Sequence, residues 1–293
     1  IVVCVFLLWV HSGEDSFFWK EGDSYRYEEK DMAKVHVTRA DGKDMYLDMD
    51  AYLEGVISSE MSASFELEAL KAQCVAARTF VVQRGYEVDD TTNTQVYRDN
   101  EQLKQIWGSD YAYYHKKIQQ AVQETKNEIV TYKGKPISAL FYSCSAGKTA
   151  NANEYWGNKV PYLISVDSSW DKQSKEYEDR ITMSKKEFSN ALGFQKEVKE
   201  IGKPVYYKSG YVKDIVIDRI SFSGREVREK LKLRSSCFAI KDKKNTIEIT
   251  TKGYGHGVGM SQVGAQYMAE HDKTYKEILA HYYPHTKIEE IGV

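Results

Sequence analysis

Three short stretches of this sequence put polar or reactive side chains at spacings that could do chemistry. The first is Tyr52-Leu53-Glu54-Gly55-Val56-Ile57-Ser58-Ser59-Glu60-Met61, continued by Phe65-Glu66-Leu67-Glu68-Ala69-Leu70-Lys71-Ala72-Gln73 and Ala76-Ala77-Arg78-Thr79. Lys71 and Arg78 are seven residues apart, so on a helix they fall within about 20° of one another and share a face. That face could sit beside Glu60; the competing reading is a solvated charged stripe. The second stretch, Phe141-Tyr142-Ser143-Cys144-Ser145-Ala146-Gly147-Lys148-Thr149, runs on to Glu154-Tyr155-Trp156-Gly157 and reads as a strand entering a small-residue loop. Its serines lie outside the GxSxG elbow of serine hydrolases. Cys144 could be a nucleophile with His256 as its base, although a buried structural cysteine is the better reading.

The third stretch is Gly253-Tyr254-Gly255-His256-Gly257-Val258-Gly259-Met260-Ser261-Gln262-Val263-Gly264-Ala265. Alternate glycines weaken a strand, and a close approach of bare backbone to a ligand accounts for them better than packing does. GxGxG spacing without a βαβ unit is not a dinucleotide site. His256, flanked by glycines, is expected to be exposed enough to hydrogen-bond a substrate. His256, Ser261 and Gln262 would then orient a bound substrate, with 255–262 as one wall of a groove facing Glu60 and the 143–148 loop, and Ser261 as a helix N-cap.

Around these stretches, the hydrophobic pattern and turn residues predict mixed helices and antiparallel sheet in an α+β body around a substrate groove. A hairpin is expected at 35–49 across the turn Ala40-Asp41-Gly42-Lys43, with His36 an ordinary strand residue. Asp50 is the expected N-cap of a helix ending at Met61. A longer helix over 65–83 buries one stripe through Leu67, Leu70, Cys74, Ala77 and Val81. Further helices are expected at 100–106, 113–125, 184–192, 223–231, 261–270 and 275–283. Strands are expected at 128–132, 137–142, 212–221 and 238–250. A lysine-rich stretch over about 171–245 could form an inserted subdomain.

The 293 residues carry 41 basic and 43 acidic side chains, so no clustered positive surface argues for nucleic acid. Four cysteines without CxxC or zinc-finger spacing give no metal frame and at most one bridge. Residues 1–10 are apolar and span only about half a bilayer core as a helix. They read as the remnant of an N-terminal membrane anchor or signal segment, or as a buried strand. The anchor is expected, followed by a juxtamembrane linker over 11–33 and the folded part over 34–293.

SEMSASFELEALKAQ, SCSAGKT and GHGVGMSQVGA together resemble the stage II sporulation protein D family, which also includes amidase-enhancer proteins; the likeness spans roughly residues 35–287. The resemblance implies a membrane-anchored lytic transglycosylase of endospore-forming bacteria that cuts peptidoglycan outside the cytoplasm, at the septum between forespore and mother cell, during engulfment. It implies that Glu60 is the catalytic acid, with Lys71 and Arg78 at supporting positions. Gln73, Tyr142, Ser143, Ser145, Lys148 and Trp156, in or beside the same motifs, and Tyr283, at the end of the last expected helix, complete the candidate binding or supporting set. The implied partners are peptide-stripped glycan strands, a sporulation amidase and a membrane scaffold.

One protonated carboxylic acid suffices for that chemistry. It protonates the glycosidic oxygen between MurNAc and GlcNAc while the sugar's own 6-hydroxyl attacks C1 and closes a 1,6-anhydro ring. Met61 and Phe65 could desolvate Glu60 and raise its pKa, whereas a close Lys71 or Arg78 would lower it. Some relatives carry a His and Cys cluster at the second motif that could hold zinc. Here Cys144 has no histidine near it, so no zinc and no cofactor are expected. A non-catalytic glycan-binding enhancer of an amidase is the alternative, and a Cys144-dependent peptidase a third reading.

Overall fold

In the computed structural model of the protein the described residues are 34–91 and 94–291. The expected anchor at 1–10 and linker at 11–33 lie outside them, and among the described residues no helix is long and apolar enough to cross a membrane. Helices and mostly antiparallel sheets make an α+β fold. The chain divides into two compact units. One comprises the residues up to Leu140, Met268–Ala280 and His285 onward; the other comprises Phe141–Tyr267 and His281–Pro284.

The first unit opens with β1 (Val35–Thr38) and β2 (Asp44–Leu47), an antiparallel pair in which Val35 and Val37 are buried. Helix α1 (Met49–Glu60) follows. Its N-cap is Asp48, whose backbone is extended, rather than Asp50, which sits in the first turn and complements the helix dipole instead. The helix stops at Glu60 because Met61 turns extended.

Next come α2 (Leu67–Gln83), β3 (Glu87–Asp89) parallel to β1, α3 (Asn100–Trp107), α4 (Tyr111–Glu124), β4 (Glu128–Tyr132) and β5 (Lys135–Pro136). Helix α2 corrects the one-stripe expectation, since every residue from Ala72 to Val82 is buried. Ala72, Ala76 and Ala77 leave room for neighbours on faces that a period-3.6 reading assigns to solvent, and α2 packs on α1, α4 and β4. The strand expected over 137–142 is broken: β5 ends after two pairings with β4, and Leu140 N–H donates to the Ser138 carbonyl in a tight turn.

The second unit contains β6 (Phe141–Tyr142), α5 (Ala152–Tyr155), β7 (Glu178–Ser184), α6 (Lys185–Leu192), β8 (Val205–Tyr206), β9 (Val212–Ile217), β10 (Ile220–Ser223) and α7 (Gly224–Leu231). Strands β11 (Phe238–Lys243), β12 (Thr246–Lys252) and β13 (Met260–Ser261) follow. The chain closes with α8 (Gln262–Glu270), α9 (Tyr275–Tyr282) and β14 (Lys287–Glu290), the last pairing with β4 of the first unit's sheet. The stretches 212–221 and 238–250 each resolve into a hairpin. At the first turn Asp218 and Arg219 both take positive φ, the geometry of a primed turn that continues the strand twist. Phe188, Ile215, Ile217, Val227, Ile247 and Ile249 are fully buried in the core of this part.

Candidate active site

Glu60 ends α1, where the helix dipole is negative and disfavours a carboxylate. It is 6% exposed. Burial raises its pKa to about 7, against a backbone hydrogen bond from Val96 and the charge of Arg98, which both lower it. Glu60 Oε1 accepts the Val96 N–H at 2.6 Å. The result is a carboxyl group held in place yet able to carry a proton near neutrality. Arg98 also lines a cavity of about 330 Å³ with Leu47, Glu54, Gly55 and Tyr97; Glu60 is not among its lining residues. Gly55 is required there, because a Cβ would collide with the Tyr97 ring and the Arg98 carbonyl.

The two cations expected beside Glu60 are engaged elsewhere. Arg78 is 1% exposed, and its Nη1 donates to the Thr125 carbonyl at 2.7 Å and the Glu128 carbonyl at 3.1 Å. It thereby caps the C-terminal end of α4. Lys71 pairs with Glu68 at 2.7 Å and Glu124 at 3.1 Å and lies over the Tyr275 ring. Gln73 is fully buried in α2. Neither Lys71 nor Arg78 therefore pairs with Glu60, and the cation whose charge acts on it is Arg98.

In the second unit the other two motifs are brought together. Cys144 exchanges backbone hydrogen bonds with Tyr254, 3.0 and 2.7 Å long, and Ala150 N–H donates to the Gly257 carbonyl at 2.7 Å. Strand β6 runs parallel to β13, pairing Tyr142 with Ser261. The joint is fastened by Asp171, a fully buried carboxylate that accepts from Ser145 N–H at 2.6 Å, Ser261 Oγ at 2.5 Å and Ser168 Oγ at 3.0 Å. Ser261 Oγ also accepts the Gly264 N–H at 3.1 Å, the bond of an N-cap to the third residue of α8. Ser143 gives its carbonyl to Val263 N–H, and Lys148 is exposed. Tyr142, Gln262 and Tyr283 are buried, Tyr283 with a hydrogen bond to the Met260 backbone.

Gly253, Gly255 and Gly257 each face close neighbours within the protein. Gly253, Gly255, Gly257 and Gly259 all have positive φ. A Cβ at Gly253 would lie 2.8 Å from the Ala146 nitrogen, one at Gly255 2.6 Å from Tyr142 Cβ, and one at Gly257 would enter the Tyr211 ring. His256 is partly exposed, and its ring is also engaged within the protein. Its Nδ1 accepts the Val258 N–H at 3.1 Å, and the ring also hydrogen-bonds the Phe141 backbone. Burial, with the Arg228 charge adding to it, lowers its pKa to about 3 and keeps it neutral. The ring centres an aromatic cluster with Tyr142 at 5.4 Å, Trp156 at 5.3 Å and Tyr155 at 5.9 Å.

Cys144 is buried and burial pushes its thiol pKa up, away from a nucleophilic thiolate. Cys74, Cys144 and Cys237 are unbridged, and among the described residues no group of three or more His, Cys, Asp or Glu could hold a metal ion. Sequence reasoning missed Val96, Arg98, Asp171, Tyr155 and Arg228. Only Tyr155, beside Trp156, carried a signal.

The family described as stage II sporulation protein matches residues 42–132. Stage II sporulation protein D of Bacillus amyloliquefaciens is 47% identical over 255 residues, covering 83% of this chain and 74% of that protein. The protein of the same name from Bacillus subtilis (strain 168) is 44% identical with the same coverage. The amidase enhancer of Bacillus subtilis (strain 168) is 31% identical over 293 residues, 80% of this chain and 40% of the enhancer.

Proposed function

Since the chain belongs to the stage II sporulation protein D family, we propose that it is a lytic transglycosylase that cleaves peptidoglycan glycan strands during sporulation, with Glu60 as proton donor. The observation that carries this reading is the carboxyl of Glu60, 6% exposed and shifted to about pKa 7 by burial. Such a group is protonated often enough near neutral pH to protonate a glycosidic oxygen, and as an anion it can take back the proton of the attacking 6-hydroxyl. The Val96 N–H holds the carboxyl in place through Oε1. The protein would act outside the cytoplasm, tethered by an N-terminal anchor, on strands that a sporulation amidase has stripped of peptide, within a complex held by a membrane scaffold.

Glu60→Gln keeps the shape and the Val96 hydrogen bond and loses the proton. It should abolish release of 1,6-anhydro-MurNAc ends, read by mass spectrometry of glycan digests, while retaining strand binding. Undiminished release would overturn the assignment. The 31% identity to an amidase enhancer favours a second reading, a glycan-binding enhancer without catalysis. In that case the native chain yields no anhydro ends and accelerates a partner amidase.

A further inference from the structure

Five aromatic rings of the first unit form an unbroken row across α3 and α4. From the outer end, Tyr113 meets Tyr114 at 5.5 Å, Tyr114 meets Trp107 at 5.5 Å, Trp107 meets Tyr111 at 6.2 Å, and Tyr111 stacks on His115 at 5.0 Å. Trp107, Tyr111 and Tyr114 follow one another at helical spacings around the turn Gly108–Asp110, and their rings pack α3 on α4. Packing accounts for those three. It does not account for Tyr113, which is 69% exposed beside them. The other rings of the row are half-buried, so an edge or face of each stays open to solutes.

Two links join this row to the region of Glu60. At its inner end His115 lies 3.1 Å from the Glu54 carboxylate on α1, and Glu54 lines the cavity whose Arg98 acts on Glu60. One helical turn beyond Tyr113 and Tyr114, on their side of α4, Lys117 donates to the carbonyls of Ser64 and Phe65 in the loop that follows Glu60. A row of flat apolar faces with polar edges suits a linear polymer of pyranose rings, each of which offers a C–H face. A polyanion would need a cluster of cations, whereas among the described residues Lys104 is the cation over a ring of the row, 5.7 Å from Tyr111. We infer that Tyr113, Tyr114, Trp107 and Tyr111 form an outlying subsite, on which a glycan strand rests several sugars away from the bond being cut. This rests on the glycan-cleavage reading. Only a strand long enough to reach the row gains from it, so the subsite makes the protein favour long strands, through KM.

The test compares a glycan tetrasaccharide with strands of a dozen sugars or more. The native chain should cleave the long strands with the higher kcat/KM. Tyr113→Ala, at an exposed position that the fold tolerates, should lower that preference about fivefold by raising KM for the long strands. Tyr113→Phe keeps the ring face and should keep the preference. Equal kcat/KM for both lengths in the native chain, full preference in Tyr113→Ala, or its loss in Tyr113→Phe overturns the subsite. Strand binding to the Glu60→Gln chain repeats the comparison without turnover and separates this proposal from the one before it. No cleavage by the native chain, with length-dependent binding that Tyr113→Ala weakens, removes the transglycosylase reading and keeps the subsite. Cleavage of both lengths at one kcat/KM does the reverse.

Discussion

An acid that must release a proton near neutral pH has to be destabilised as an anion, and Glu60 is, at the end of α1 and cut off from water. Its folded pKa, about 7, lies above the ordinary value of 4.5. The native state therefore holds the proton more tightly than the unfolded chain, and stability falls as pH rises from about 4.5 through about 7. Glu60→Gln removes that penalty. We expect the variant to melt above the native chain at pH 8, by at most about 3 kcal/mol, and the gain to vanish below pH 4.5; thermal melts across this range check both. Asp171 shares that direction, since burial raises its pKa to about 6 against the three hydrogen bonds it accepts. Asp171→Asn replaces one acceptor oxygen by a donor facing other donors, and should cost about 2 kcal/mol or more in denaturant unfolding. Glu60 stands out in the sequence as a candidate because its motif is local. Arg98 and Asp171 do not, since each meets its partners only after the chain has folded: Asp171 bonds residues 26 and 90 positions away.

Among the elements, those governed by neighbouring residues were read well and those governed by distant packing were not. Ser184 with Glu187 and Ser223 with Glu226 form capping boxes that set the starts of α6 and α7 at the expected places. Helix α2 misled because Arg78 looks like a surface residue until the carbonyls at the end of α4 arrive to satisfy it. The glycine segment is ambiguous in another way: its alternation signals a close backbone approach, but sequence alone does not say to what. Gly257→Ala tests the answer. It forces a side chain into the left-handed region and into Tyr211, and should destabilise by about 2 to 4 kcal/mol. Gly42→Ala has a similar φ and open space around it, so it should cost only about 1 kcal/mol. Comparable losses at the two positions, measured by urea unfolding, would show that conformational strain alone explains the segment.

At the scale of the whole molecule, the second unit is an insertion within the first, which regains the chain only at Met268. The sheet β14-β4-β5 depends on that return: Ile288 pairs with Val130, and Thr131 donates to Glu289 at 2.7 Å. Removing residues 285–293 should lower the melting temperature of the first unit while leaving the second unit's amide-exchange protection near native, as read by mass spectrometry. Ile129 and Val130, on the strand that β14 pairs with, are buried in the folded protein. On a ribosome, the first unit's β4 emerges well before its partner is translated. At bacterial rates the intervening stretch takes on the order of ten seconds to make. For that interval the nascent chain carries an unpaired apolar strand edge, so the unit that holds Glu60 is begun first and finished last.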